Sequence, residues 1–145
     1  MQANELWAQF AQVSNLTNES YDAWAFGGAP DELAQLVLQG EKTATSSAYD
    51  IYQVKNQPLP RVGEYSVILN FKREAVCIIR TTKVQILPFD KVDEQHARKE
   101  GEGDKSLSYW RKIHRDFFTA ALQKIGLSFD ESRNVVCEEF EVVYP

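Results

Sequence analysis

Two strand-like apolar runs separated by three charged residues constrain this chain more than any other feature. Tyr65-Ser66-Val67-Ile68-Leu69-Asn70-Phe71 reads as a strand, Lys72-Arg73-Glu74 turns the chain, and a long strand or strand pair follows from Ala75 to Leu87. A closing run from Val135 to Tyr144 reads as another strand. Helices interrupt these strands. Residues 3 to 13 place Leu6, Trp7, Phe10 and Val13 at helical spacing. Pro30 and Asp31 open a second helix, with Leu33, Leu36 and Val37 as its stripe and Gly40 as its stop. Residues 90 to 100 predict a polar helix stopped by Gly101, and from Ser106 the stripe Leu107, Trp110, Ile113, Phe117, Ala121, Ile125 predicts a helix ending at Gly126. Strands outnumber what a bundle needs, so the order predicts an α+β fold with a mixed or barrel-like sheet.

A chain of 145 residues, 43% hydrophobic and 26% charged, is expected to form one domain whose core needs no staples. No apolar run approaches membrane-spanning length and the N-terminus lacks a basic signal-like start, so a cytoplasmic setting without a membrane partner is expected. Cys77 and Cys137 lie in strand-like runs and, with two scattered histidines, match no zinc pattern. They read as reduced core thiols. No metal and no cofactor is expected. The net charge of −5 argues against a general nucleic-acid coat protein. Residues 42 to 83 nevertheless hold seven Lys/Arg against three acids, about +4, which leaves about −9 elsewhere. A local basic region on an acidic protein fits a nucleoside, a nucleotide or a short single strand better than a long duplex.

Chemistry-bearing residues concentrate in three places. Just past the second helix, GEKTATSS supplies Lys42 and the hydroxyls of Thr45, Ser46 and Ser47. Strict strand alternation would set Lys42 and Thr45 on opposite faces, so they converge only if the chain still turns at Lys42 or the strand bulges. Glu100, in the last turn of its helix, faces the negative end of the helix dipole and is crowded by Glu102 and Asp104; a compensating cation such as Lys42 is expected. Such a lysine, carboxylate and hydroxyl are a usable acid/base and nucleophile set. His96, one turn before Glu100, could flank the same cleft, whereas His114 on the Ser106 helix reads as a core histidine. Tyr21, Trp24 and Phe26 form a cluster able to stack on a base, and Arg61 sits in a proline-bearing basic loop.

Together these features resemble the ASCH-domain family, which has a PUA-like fold: a small β-barrel with a mixed sheet, flanked by helices. The resemblance rests on Gly40-Glu41-Lys42-Thr43-Ala44-Thr45, on the aromatic stretch Tyr21 to Gly27, on Glu-Gly-Glu-Gly-Asp at 100 to 104, and on Trp110-Arg111 followed by His114 and Phe117-Phe118. It spans roughly residues 20 to 143, with residues 1 to 28 as an N-terminal helical extension. The related bacterial acetylcytidine amidohydrolases imply a catalytic set of Lys42 as base, Thr45 as nucleophile and Glu100 as acid/base, without metal. Tyr21, Trp24, Phe26, Ser46, Ser47, Arg61, His96 and Glu102 make up the expected substrate-binding set. The resemblance implies an RNA- or nucleoside-binding protein with metal-independent hydrolase activity, either acyl removal from a modified cytidine or single-stranded RNA cleavage. The alternative is a non-catalytic module that recognises RNA or a modified base.

Overall fold

The computed structural model describes residues 1–145. Five strands, β1 (Tyr21–Ala25), β2 (Ala44–Ala48), β3 (Tyr65–Leu69), β4 (Ala75–Pro88) and β5 (Asn134–Tyr144), form one mixed sheet in the order β1-β3-β4-β5-β2. β1 runs parallel to β3 and every other pairing is antiparallel. The 14-residue β4 is continuous: its first half pairs with β3 and nearly its full length with β5, across two irregularities near Ile78 and Thr81. Bulges of this kind bend a strand and raise its twist. The sheet curls into a half-barrel flanked by helices.

Sequence alternation explains what covers the sheet. Neighbouring residues of a strand point to opposite faces, yet Val67, Ile68, Leu69 and Cys77, Ile78, Ile79 are all buried. Both faces are therefore covered. Helix α1 (Ala3–Val13) sets Leu6 and Phe10 on Val67, Leu69 and Ile78, while α2 (Pro30–Leu38) sets Ala34 and Val37 on Ile68, Cys77 and Ile79. Residues 1 to 28 thus hold α1 and also an edge strand. The two cysteines are buried free thiols, each pushed up to about 12 by burial.

Three local expectations change. A six-residue helix, α3 (Tyr49–Val54), is too short to show a periodicity in the sequence; it buries no residue fully, although Ile51 packs against the core. The helix predicted over 90 to 100 is shorter: Phe89–Lys91 form a 3₁₀ turn, and α4 (Glu94–Glu100) begins where the Asp93 side chain accepts from the His96 amide at 3.0 Å. An aspartate there satisfies an amide that the first helical turn leaves free, which fixes the start. In α5 (Leu107–Gln123), capped by Ser106, the buried stripe is Trp110, His114, Phe118 and Leu122. Ile113 and Phe117, expected in the core, are 37% and 44% exposed.

Gly101 closes α4 in the left-handed region, φ +71°, and lies so close to the Glu41 carbonyl that a Cβ would stand 2.1 Å from its oxygen. This contact clamps the α4 end onto the segment between α2 and β2. Gly101→Ala is therefore expected to lower the unfolding free energy by about 3 kcal/mol or more, adding overpacking to left-handed strain. Gly126→Ala, at φ +77° with open space around it, should cost only about 1 kcal/mol. Urea denaturation of both variants checks the difference; equal losses would show that the clamp is not tight.

Candidate active site

Lys42 lies between α2 and β2, where the chain is still turning. Glu41 and Lys42 amides both donate to the Leu36 carbonyl, at 2.9 and 3.1 Å, and the Thr43 amide reaches across to the Lys99 carbonyl at 2.7 Å. Regular strand geometry starts only at Ala44, so the alternation that would separate Lys42 from Thr45 does not apply. Lys42 turns inward and is 1% exposed, as is Glu100. Its ammonium donates to Glu100 Oε1 at 3.3 Å, to the Glu100 carbonyl at 3.4 Å and to Glu102 Oε2 at 2.8 Å.

Glu100 collects donors from three elements. Oε2 accepts from Ser46 Oγ at 2.5 Å, Trp110 Nε1 at 2.5 Å and His96 Nε2 at 2.9 Å; Oε1 takes Lys42 and lies 3.4 Å from His114 Nε2. Burial would push this carboxyl up, but the Lys42 charge and the His114 and His96 hydrogen bonds outweigh it and hold Glu100 well below the usual carboxylate range. Burial likewise pulls His114 down, and the hydrogen bond and charge of Glu100 reverse that, leaving it above the ordinary histidine value. An ionised Glu100 also fixes the histidine: Nε2 of His96 carries its proton toward Oε2 and toward Ser46 Oγ, 2.7 Å away. All three protons of Lys42 are engaged, so in this arrangement the lysine is a donor rather than a proton acceptor.

The ion pair forms the floor of a two-lobed cleft. The smaller lobe, about 310 Å³, lies over Lys42, Glu100 and Glu102 and is walled by Phe26, Tyr109 and Phe117. The larger, about 670 Å³, extends past Trp24, Ser47, Tyr52 and Glu138. They share Phe26, Gly27, Thr45, Ser46 and Phe117. A Cβ on Gly27 would meet the Phe117 ring at 2.8 Å, so glycine lets that ring close down on the neck between the lobes. The exposed apolar residues of α5, Ile113 and Phe117, are thus cleft wall rather than core.

The structure brings Lys42, Thr45, Ser46, Glu100, Glu102 and Phe26 into the smaller lobe and Trp24 and Ser47 into the larger. His96 reaches Glu100 and Ser46 from a separate outer hollow. Two expected binding residues lie elsewhere. Alternation along β1 turns Tyr21 toward α1, where it stacks on Trp7 at 4.8 Å. The Arg61 side chain is 81% exposed beside Glu64. Of the seven basic residues between 42 and 83, only Lys42 lines either lobe. The other carboxylates on the wall are Glu32 and Glu102 in one lobe and Asp22, Glu64 and Glu138 in the other, so acids outnumber bases among its charged groups. Glu64, Tyr52 and Glu138 were not anticipated; the one hint was a Glu138-Glu139 pair inside an apolar strand. No group of three or more His, Cys, Asp or Glu side chains is arranged to hold a metal ion, and no helix is long and apolar enough to cross a membrane.

A family model described as "ASCH domain" matches residues 22–144. Among solved structures, the chain is similar to an ASCH domain from Lactobacillus crispatus, with 34% identity, a TM-score of 0.90, and 98% of this chain and 94% of that one covered. A protein from Enterococcus faecalis V583 is 39% identical, with a TM-score of 0.90 over 97% of this chain and 87% of that one. A mutant form of the ASCH protein of Zymomonas mobilis shares the fold at 10% identity, with a TM-score of 0.58 over 90% and 76% of the two chains. A comparison with curated proteins finds no match.

Replacing Glu100 by Gln leaves Lys42 buried with only Glu102 as a charged partner, and is expected to lower the unfolding free energy by about 3–5 kcal/mol at neutral pH. Because the native Glu100 value is depressed, the difference between wild type and Glu100→Gln should be full above about pH 4.3, the unfolded value, and fade as pH falls toward the native one. The raised His114 value gives the opposite sign. Its stabilisation, read as wild type minus His114→Phe, should be full below about pH 6.5 and be lost as pH rises through the native value. Urea denaturation across pH measures both; a flat difference curve would remove the group from the network.

Proposed function

The chain belongs to the ASCH domain family, whose PUA-like fold is an RNA-binding one, and on that premise we propose that it takes one RNA base, or a free nucleoside, into the cleft over Lys42 with the phosphates left outside. The charge of the cleft carries this reading. Its single lysine is already shared by two carboxylates, His114 lies against Glu100, and the other charged groups on the wall are acids. A phosphate placed there would meet like charge without a free counterion. A base offers an aromatic face and N–H groups instead, and Phe26, Phe117 and Trp24 are the side chains on which it would stack.

Hydrolysis is a second reading, favoured by the position of Thr45. Its hydroxyl lines both lobes but stays outside the hydrogen-bond network of Ser46, His96 and Glu100. Glu102, 19% exposed, is the most accessible of the acceptors of Lys42. A substrate carbonyl oxygen displacing Glu102 would place the ammonium where negative charge develops. Thr45 would then attack the acyl carbon of a modified cytidine, its proton passing by way of Glu100 to the departing cytidine amine while Lys42 donates to the oxyanion, and water would hydrolyse the acyl-threonine ester so formed. With every proton of Lys42 engaged and Glu100 strongly ionised, base recognition is the primary role and turnover depends on that displacement.

Calorimetric titration with cytidine, N4-acetylcytidine, cytidine monophosphate and a short single-stranded RNA tests the proposal. Cytidine or its acetylated form is expected to bind at least as tightly as the monophosphate, since a phosphate left outside the cleft adds no contact there. Phe26→Ala should weaken the nucleoside by about tenfold or more through lost stacking. Chromatography of the same mixtures reads turnover: product formation abolished in Thr45→Val with binding retained assigns the hydrolytic step. Tighter binding of the monophosphate than of the nucleoside, or binding of none of these ligands, would contradict the proposal.

A further inference from the structure

We infer that the larger lobe is a second base subsite, which takes the neighbour of the base held over Lys42 and selects one whose edge donates hydrogen bonds, as guanine does. This rests on the base-in-cleft reading above. The larger lobe has about twice the room of the smaller and opens directly into it past Thr45, Ser46 and Phe117. Strand pairing fixes their relation, since Thr45 of β2 stands in register with Glu138 of β5. A strand whose first base occupies one lobe thus meets the second at the adjoining residue pair.

The chemistry of the lobe defines the base. Glu138 is a largely buried carboxylate whose protein partner is the Thr81 hydroxyl, at the long distance of 3.5 Å, and it forms no ion pair. Burial first, then the nearby Glu64, pushes it up to about 7, while the Thr81 contact opposes weakly. Isolating a carboxylate from water without a counterion is unfavourable unless something donates to it. Glu64 faces the same space and meets Arg61 only at the surface, at 3.4 Å. No cation lines the lobe. Trp24, set edge-on to Phe26 at 4.9 Å, supplies an aromatic wall. Tyr52 and Ser47 hydroxyls are bonded to each other at 2.8 Å, which leaves the carboxylates as the dominant free acceptors.

Guanine presents a ring N–H beside an exocyclic amine, two parallel donors that match one carboxylate. Where Glu138 is ionised, above about pH 7, uracil's single N–H between two carbonyls would confront Glu138 and Glu64 with like partial charge. Preference for guanine over uracil beside the first base follows from this contrast.

The experiment compares cytidine with the four dinucleotides CpG, GpC, CpU and UpC by calorimetry, on wild type, Glu138→Gln and Glu64→Gln. One guanine-containing dinucleotide is expected to bind at least tenfold more tightly than both cytidine and its uracil counterpart. Glu138→Gln should cut that preference at least fivefold, and Glu64→Gln should cut it in the same direction; thermal melting confirms that each isosteric variant is folded. Equal affinity for guanine and uracil dinucleotides, or no gain over cytidine, would overturn the second subsite while leaving the first intact. Failure of cytidine and all four dinucleotides to bind would overturn the cleft reading itself.

Discussion

Lys42 and Glu100, each 1% exposed and 3.3 Å apart, are the contact on which the rest of this structure is arranged. Removing two charges from water costs several kcal/mol per ion, and their mutual attraction offsets this only when the remaining hydrogen-bonding capacity is also used. Every neighbouring element contributes to that end. Lys42 comes from the turn after α2, Ser46 from β2, His96 from α4, and Trp110 and His114 from α5, all on one carboxylate. Even the backbone is committed, because only glycine at position 101 permits the Glu41 carbonyl to approach α4 so closely. Apolar pairs of similar volume are often at least as stabilising as a buried ion pair, so stability alone does not account for a network of this kind.

The network also determines what the cleft can accept. Its one lysine and the neighbouring His114 are both engaged by Glu100, the other charged groups on its wall are acids, and its neck is lined by aromatic rings. In the proposed reading, phosphate stays outside such a site and a flat heterocycle with N–H donors enters it. Thr45 and Ser46 divide the work along one strand. Ser46 is locked onto Glu100 and holds the floor, while Thr45 remains available at the junction of the two lobes.

Much of this was legible in the sequence. Glu100 at the wrong end of its helix dipole demanded a cation, and GEKTATSS placed one just beyond a helix stop; the structure unites them. Regular periodicity likewise located α1, α2, β3 and β5. Other features were hidden because residue type alone does not say which cavity a side chain faces. Ile113 and Phe117 carry the spacing of a core stripe, yet the buried stripe is offset by one position and these two wall the cleft. His114 is buried like a core histidine and also lies against Glu100, a distinction no spacing can draw. Tyr21 and Trp24 read alike as stacking aromatics, and strand alternation sends one to α1 and the other to the cleft. A count of basic residues along the chain placed charge in the right region but not on the cleft wall, since those side chains point elsewhere.

The most direct measurement is a crystal structure of the protein with a short single-stranded, cytidine-containing RNA bound. The expected result is a base within the smaller lobe against Phe26 and Phe117, above an intact Lys42–Glu100 pair, with its phosphates outside the cleft. A phosphate seated on Lys42, or RNA bound on another face with the cleft empty, would contradict the proposed role of the buried ion pair.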